Sequence, residues 1–322
     1  MYLPPPRGPL SSWLIDHLLD QSDTPSPPVA SDEPWADEDL QLALWCCYEL
    51  HYRGFDEVDP DAEWDLSVLA FRASLELCWS DWLRATYWPV VDGKPSQLLR
   101  ELIDNDDGPS LAAYLQRHAG LEEFREFVLN RSIYQLKEAD PHSFGIPRLD
   151  GATKAALVEI QADEYGGGRP DRMHAELFRT TMRWLNLDDT YGHYVPEVPA
   201  VTLALSNVMS YFALHRRWTG ALLGHLAALE MTSTLPNRRY AAGATRLGAD
   251  PAAAHYFTEH IEADAVHEQI AAHDLCDNYA SDHPDAIPDI LFGAACCLGL
   301  DNLLAQRLLS SWNADARSKV AS

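Results

Sequence analysis

His260-Ile261-Glu262-Ala263-Asp264-Ala265-Val266-His267 is the stretch on which the reading of this chain turns. A helix advances about 100° per residue, so positions i, i+4 and i+7 share a face and can aim two imidazoles and a carboxylate at one point. That interval suits metal ligands. A solvated face of an acidic helix is the competing reading, and the octapeptide alone does not separate the two. Upstream, Asp250-Pro251 has the chemistry of a helix start, an N-cap Asp followed by Pro at the first helical position. The octapeptide is therefore expected on a helix that opens there.

Outward from this stretch the chain reads as helix after helix, with no period-two alternation, and the predicted fold class is all-α. Helical spacing runs over about 36–52 through Leu40, Leu44 and Tyr48, and over about 61–85 through Leu66, Phe71, Leu75 and Trp79. After a polar break at Asp104–Pro109, Ser110 is a candidate N-cap for a helix beginning at Leu111. Further helices are predicted over 121–138, stopping before Asp140-Pro141, over 151–165, ending in Gly166-Gly167-Gly168, and from Pro170 to Leu185. The remainder are 199–215, 220–234 with a stop at Pro236-Asn237, and 287–312. Residues 1–36 form a Pro-rich acidic lead-in, read mostly as a tail, although Trp13-Leu14-Ile15 and Leu18-Leu19 can dock as one short helix. The expected divisions are this lead-in, an N-terminal helical extension over 37–108, the main helical domain over 109–314, and a tail over 315–322.

Composition narrows the function classes. The 322 residues carry 24 Lys and Arg against 49 Asp and Glu, a net charge of −25, which repels nucleic acid and anionic lipid. The amino end lacks the basic start and apolar core of a secretory signal, so a cytoplasmic protein is expected. Cys46, Cys47, Cys78, Cys276, Cys296 and Cys297 include no CxxC spacing and read as small buried apolar residues.

The partners of a metal site lie upstream of the octapeptide. Glu164 ends one helical segment and His174 enters the next, with the glycine run between them to let the backbone turn. Glu230 is a lone carboxylate among Leu222, Leu223, Leu226 and Leu229, costly to bury without a cation nearby. Glu138 closes the preceding helix. Together Glu138, Glu164, His174, Glu230, His260, Asp264 and His267 offer four carboxylates and three imidazoles, a set whose charge matches two divalent irons. Zinc would favour sulfur or His in a four-coordinate set. A ferritin-like di-iron bundle needs Glu-x-x-His twice, and the sequence contains none.

The order Glu164, ten residues to His174, then Glu230, then thirty residues to His260-x3-Asp264-x2-His267 resembles the haem-oxygenase-like di-iron oxidases and oxygenases. The stretches Leu136–His142 and Glu159–Gly168 are similar to that family as well, and the resemblance covers about residues 110–312. It implies a bundle of about seven core helices, here with extra N-terminal helices, that binds two Fe(II)/Fe(III) ions and activates dioxygen. Known family chemistry includes N-oxygenation of amines and guanidines and oxidative C–C cleavage. Glu138 matches a carboxylate present only in some members, chiefly N-oxygenating ones.

The expected function is therefore a dioxygen-activating non-haem di-iron oxidase or oxygenase, with a small amino-acid- or amine-like substrate, an electron donor and a possible homodimer. Two alternatives stand beside it: a haem oxygenase or metal-free helper on the same fold, and a helical interaction protein. Arg148, Arg238 and Arg239 are candidate partners for a substrate carboxylate, with ordinary ion pairing as the alternative. Tyr134, Tyr165 and Tyr240 are candidate pocket residues or core aromatics. Glu159, Asp163 and Glu262 are candidates to orient ligand imidazoles, with exposed helix surface as the alternative reading, the favoured one for Asp163. His142, His225 and His273 read as hydrogen-bonded or exposed histidines.

Overall fold

The computed structural model describes residues 1–21, 24–90 and 93–320, the side chains of 262–265 and 314–320 excepted. Among the described residues there are helices and turns and no strands, so the all-α expectation holds. The order is α1 (Pro9–Leu18), α2 (Glu38–Glu49), α3 (Leu66–Tyr87), α4 (Pro95–Asp104), α5 (Leu111–Arg117), α6 (Leu121–Gln135) and α7 (Asp140–Ser143). There follow α8 (Gly151–Glu164), α9 (His174–Trp184), α10 (Ala200–Leu214), α11 (Thr219–Arg246), α12 (His255–Gln269), α13 (Asn278–Asp282) and α14 (Ile287–Val320).

Starts and stops follow local chemistry. Asp37 and Asp65 cap α2 and α3 by accepting the first free backbone N–H groups, and Ser110 caps α5 as expected. The lead-in is held more firmly than a tail. Leu14 is fully buried in α1, and the Arg7 guanidinium donates to the carbonyls of Val195 and Val198 at 2.7 and 2.8 Å. Asn207 of α10 donates to the Gln41 carbonyl at 2.9 Å, fastening α2 to the bundle.

Three expected boundaries are corrected. The helix starting at Leu121 ends at Gln135 rather than Glu138, because Ala139 adopts a left-handed conformation (φ 74°) and Leu136–Ala139 form a turn. The helix expected to stop at Pro236 runs on to Arg246. Proline removes one backbone bond, which kinks a helix without ending it when packing holds the next turns. Here Gly243 packs so closely on α5 that a Cβ would lie 2.7 Å from the Leu115 carbonyl oxygen, and Arg246 donates to the carbonyls of Leu115 and Ala119. At Asp250 the carboxylate does accept the Ala253 N–H at 2.8 Å, but it caps a turn, and α12 begins at His255. The structure adds two elements that the helical spacing does not predict, a π-helix over Ile270–Asp277 and the short α4.

The long helices α11 and α14 form the spine. They cross at a pair of glycines, where a Cβ on Gly224 would sit 1.8 Å from the Ile290 carbonyl oxygen and one on Gly293 1.9 Å from that of Ala221. The apolar stretch Pro284–Asn313 is long and apolar enough to cross a membrane by length and composition, but half of its 18-residue apolar window is buried in this bundle as core. Trp218, Phe212 and Phe292 pack around the crossing. Gly224→Ala or Gly293→Ala should force the two backbones apart and cost about 1–3 kcal/mol. Gly248→Ala meets no atom within 4 Å and is limited to the strain of its φ of 98°. Thermal unfolding of the three variants checks the difference.

Candidate metal centre

Local backbone chemistry brings the acidic and imidazole groups together. α8 ends at Glu164, and Gly166, Gly167 and Gly168 all take positive φ. A Cβ on Gly166 would lie 2.6 Å from the Met173 nitrogen, so the chain folds back on itself there as only glycine allows. α9 then opens on His174, whose Nδ1 lies 2.8 Å from Glu164 Oε2. His260 and His267 are both buried on α12, and Glu230 reaches in from α11. Glu138 comes from the turn after α6.

Two sets of donor atoms result. Glu138, Glu164, His174 and His260 each offer an atom within 4.8 Å of the others, and so do Glu164, Glu230 and His267. Glu164 belongs to both sets. His260 Nε2 is 3.6 Å from Glu138 Oε1, and His267 Nδ1 is 3.3 Å from Glu230 Oε2. Asp264 lies outside the residues whose side chains are described.

Neighbours fix the ring orientations. His260 Nδ1 donates to the Tyr256 carbonyl at 2.7 Å, which leaves Nε2 for the centre. His267 Nε2 pairs with Asp163 Oδ2 at 3.1 Å, which leaves Nδ1. Such partners are the usual supports of metal-ligating imidazoles. Asp163 thus has the orienting place considered for it from sequence. Tyr256, which sequence reasoning missed, donates its hydroxyl to Glu138 Oε1 at 2.9 Å. Its position four residues before His260, on the same helical face, was the signal available.

The residues present fit a metal. Glu138 Oε2, Glu164 Oε2 and His174 Nδ1 are buried and none makes a hydrogen bond, although Glu164 Oε2 and His174 Nδ1 are close enough for one. Atoms placed at that distance without hydrogen-bond geometry are what two ligands of one cation present. The charges agree. Burial alone would push the Glu164 carboxyl up, but the rings of His174, His260 and His267 bring it down to about 2. His267 is pushed up to about 9 against its own burial by Glu230, Asp163 and Glu164, and His174 is raised by Glu164. Burial raises Glu230. Buried carboxylates thus draw positive charge onto the imidazoles, the place a bound cation would take.

A cavity of about 680 Å³ adjoins the centre, and Glu138, Glu164, Glu230 and His260 line it whereas His174 and His267 do not. Tyr134, Tyr240, Arg238 and Arg239 line the cavity as well, while Tyr165 and Arg148 do not. Glu159 has no described contact with the ligand imidazoles, and Glu262 falls outside the described side chains. His273 is exposed and pairs with Asp277. All six cysteines are free, five of them buried.

Over residues 125–302, more than half of its length, the chain matches the iron-containing redox enzymes, and it belongs to that family. Its fold is accordingly the haem-oxygenase-like helical bundle, and it is an iron-containing oxidoreductase. The nitrosourea synthase of Streptomyces achromogenes subsp. streptozoticus is 26% identical over 159 residues. That match covers 49% of this chain and 34% of the relative, so the shared part is about a third of the longer protein.

On the cavity wall His142 and His225 are both buried, with His142 Nε2 3.3 Å from His225 Nδ1. Burial pushes His142 down to about 4 and His225 well below its ordinary value, so both rings are neutral at neutral pH. The unfolded chain would protonate them near pH 6.5. Between that value and about 4 the unfolded state binds more protons, so stability is present above pH 6.5 and is lost as pH falls. Melting temperature against pH should therefore fall more steeply in that window for the native chain than for His142→Asn.

Proposed function

We propose that this chain is a dioxygen-using di-iron oxidase or oxygenase acting on a small amino-acid- or amine-like substrate held in the cavity beside the centre. The observation that carries the reading is Glu164, a buried carboxylate common to both donor sets. A carboxylate has an oxygen for each of two neighbouring cations, which a lone imidazole lacks. On the first side stand Glu138, His174 and His260, and on the second Glu230 and His267. Asp264, at the i+4 position from His260, is proposed as a further ligand of the second side.

Ferrous ions bound here would supply electrons and open coordination positions for dioxygen, which is then used on a nitrogen or a C–H or C–C group of the substrate. The protein's own part is placement. Tyr256 holds one oxygen of Glu138 and Asp163 holds the His267 ring, so these two are oriented before the substrate enters. Phe127, Phe178, Leu226 and Phe257 give the cavity an apolar wall that limits water near the centre. An external electron donor completes the proposed cycle. Within the range of oxidations, similarity to a protein named for nitrosourea synthesis favours nitrogen oxygenation.

Anaerobic titration with Fe(II) is expected to saturate at about two ions per chain, with the loaded protein consuming dioxygen. Glu164→Ala should weaken both sites at once, whereas Glu230→Ala should spare one ion. His260→Ala and His267→Ala should each abolish dioxygen consumption while far-ultraviolet circular dichroism stays native. A native chain that saturates at one ion, or an iron-replete and active His267→Ala, sinks the proposal.

A further inference from the structure

The turn that carries Glu138 is clamped from a part of the chain outside residues 125–302. Glu49, the last residue of α2, is fully buried, and its Oε2 lies 3.5 Å from Nζ of the equally buried Lys137. Tyr191 donates its hydroxyl to the same oxygen at 2.6 Å. The Lys137 ammonium also sits 4.2 Å over the Tyr52 ring. Four residues beyond Glu49, the Arg53 guanidinium stacks over Tyr191 at 4.1 Å, donates to the Leu136 carbonyl at 3.3 Å and pairs with Asp140 at 3.6 Å.

The far side of the turn is held as well. Gln161 donates to the Ala139 carbonyl at 2.7 Å, and Tyr165 donates to Asp140 at 2.9 Å. Every neighbour of Glu138 from 136 to 140 is therefore gripped by a side chain from elsewhere. The conformation being held is not one the chain adopts unaided. Ala139 has φ 74°, which costs a residue with a Cβ about 1–2 kcal/mol, and a fully buried ion pair recovers little for its desolvation. An apolar pair at 49 and 137 would pack the bundle at lower cost. What the charged pair adds is a directional hold: Lys137 is kept at Glu49 while its neighbour Glu138 reaches Tyr256 and His260.

We propose that α2 and the residues after it supply positioning residues for the metal centre, Glu49 and Arg53, which act through Lys137 and Leu136 to aim Glu138. The inference rests on Glu138 being a ligand. It assigns a role to the N-terminal segment that membership of the family does not supply.

The test is Fe(II) affinity and thermal stability measured on the full chain. Arg53 is about half exposed, so Arg53→Met is expected to fold, and Lys137→Met and the double change Glu49→Gln with Lys137→Met accompany it. Arg53→Met and Lys137→Met should each weaken the Glu138-side ion by about tenfold to a hundredfold while the second ion binds as in the native chain. Arg53→Lys, which keeps a donor, should recover part of that loss. Val68→Ala, a core truncation in α3, provides the comparison for loss of stability alone. The proposal is overturned if Arg53→Met binds both ions with native affinity, or if Val68→Ala loses as much affinity at equal melting temperature. Glu138→Gln separates the two levels of the argument: native iron binding by that variant removes the ligand assignment and the brace with it, whereas weakened binding there and native binding in Arg53→Met removes the brace alone.

Discussion

A buried carboxylate must be protonated, hydrogen-bonded or met by positive charge, and Glu164 meets that need with imidazoles from α9 and α12. The helix carrying Glu164 ends at that residue, the glycine turn returns the chain so that His174 faces it, and α12 is laid alongside to present His260 and His267. Remove the charge attraction and three helix packings lose their common target. The cost of burying like charges so close together is met only when cations or protons occupy the space between them. The bundle thus stores, in its folded state, a demand for positive charge at one place.

The spine made by α11 and α14 turns this local demand into a fixed geometry. Their backbones approach at Gly224 and Gly293 closely enough to exclude any side chain, which leaves little freedom in the crossing. Glu230 lies less than two helical turns beyond Gly224 on α11, so the crossing fixes the backbone from which it reaches His267. Pro236 lies a further turn and a half along. The helix survives it because Gly243 and Arg246 are anchored on α5, and so both ends of the segment bearing Glu230 are held.

How much of this was legible in the sequence depended on whether the signal was local. The i, i+4, i+7 spacing of α12, the glycine run before His174, and a solitary glutamate in the leucine-rich part of α11 are local patterns, and the six ligand candidates with described side chains converge. Where tertiary packing outweighed propensity, the pattern misled: a proline that reads as a stop lies inside a 28-residue helix. Leu121–Glu138 keeps helical spacing, which predicts a helix ending at Glu138, yet the left-handed Ala139 and the grip of Gln161 and Arg53 unwind its last turn. The Glu49–Lys137 pair joins residues 88 apart, and no periodicity marks such a contact. The π-helix after His267 likewise depends on how α8 and α11 pack on it, and widened helical turns of this kind often lie beside functional sites.

The candidate ligands are unevenly distributed around the cavity. Glu138, Glu164, Glu230 and His260 line the open space, while His174 and His267 stand behind them, so anything entering the cavity meets mostly carboxylates. Carboxylates change between one- and two-oxygen coordination at low cost, and imidazoles do not. Three candidate carboxylates and one imidazole, His260, face the cavity, and His267 lies where Asp163 holds it. The tyrosine hydroxyl on Glu138 belongs to the same logic, since it restrains one oxygen of the carboxylate and leaves Oε2 unpaired. The backbone behind those atoms is held by glycine contact, ion pair and capped turn.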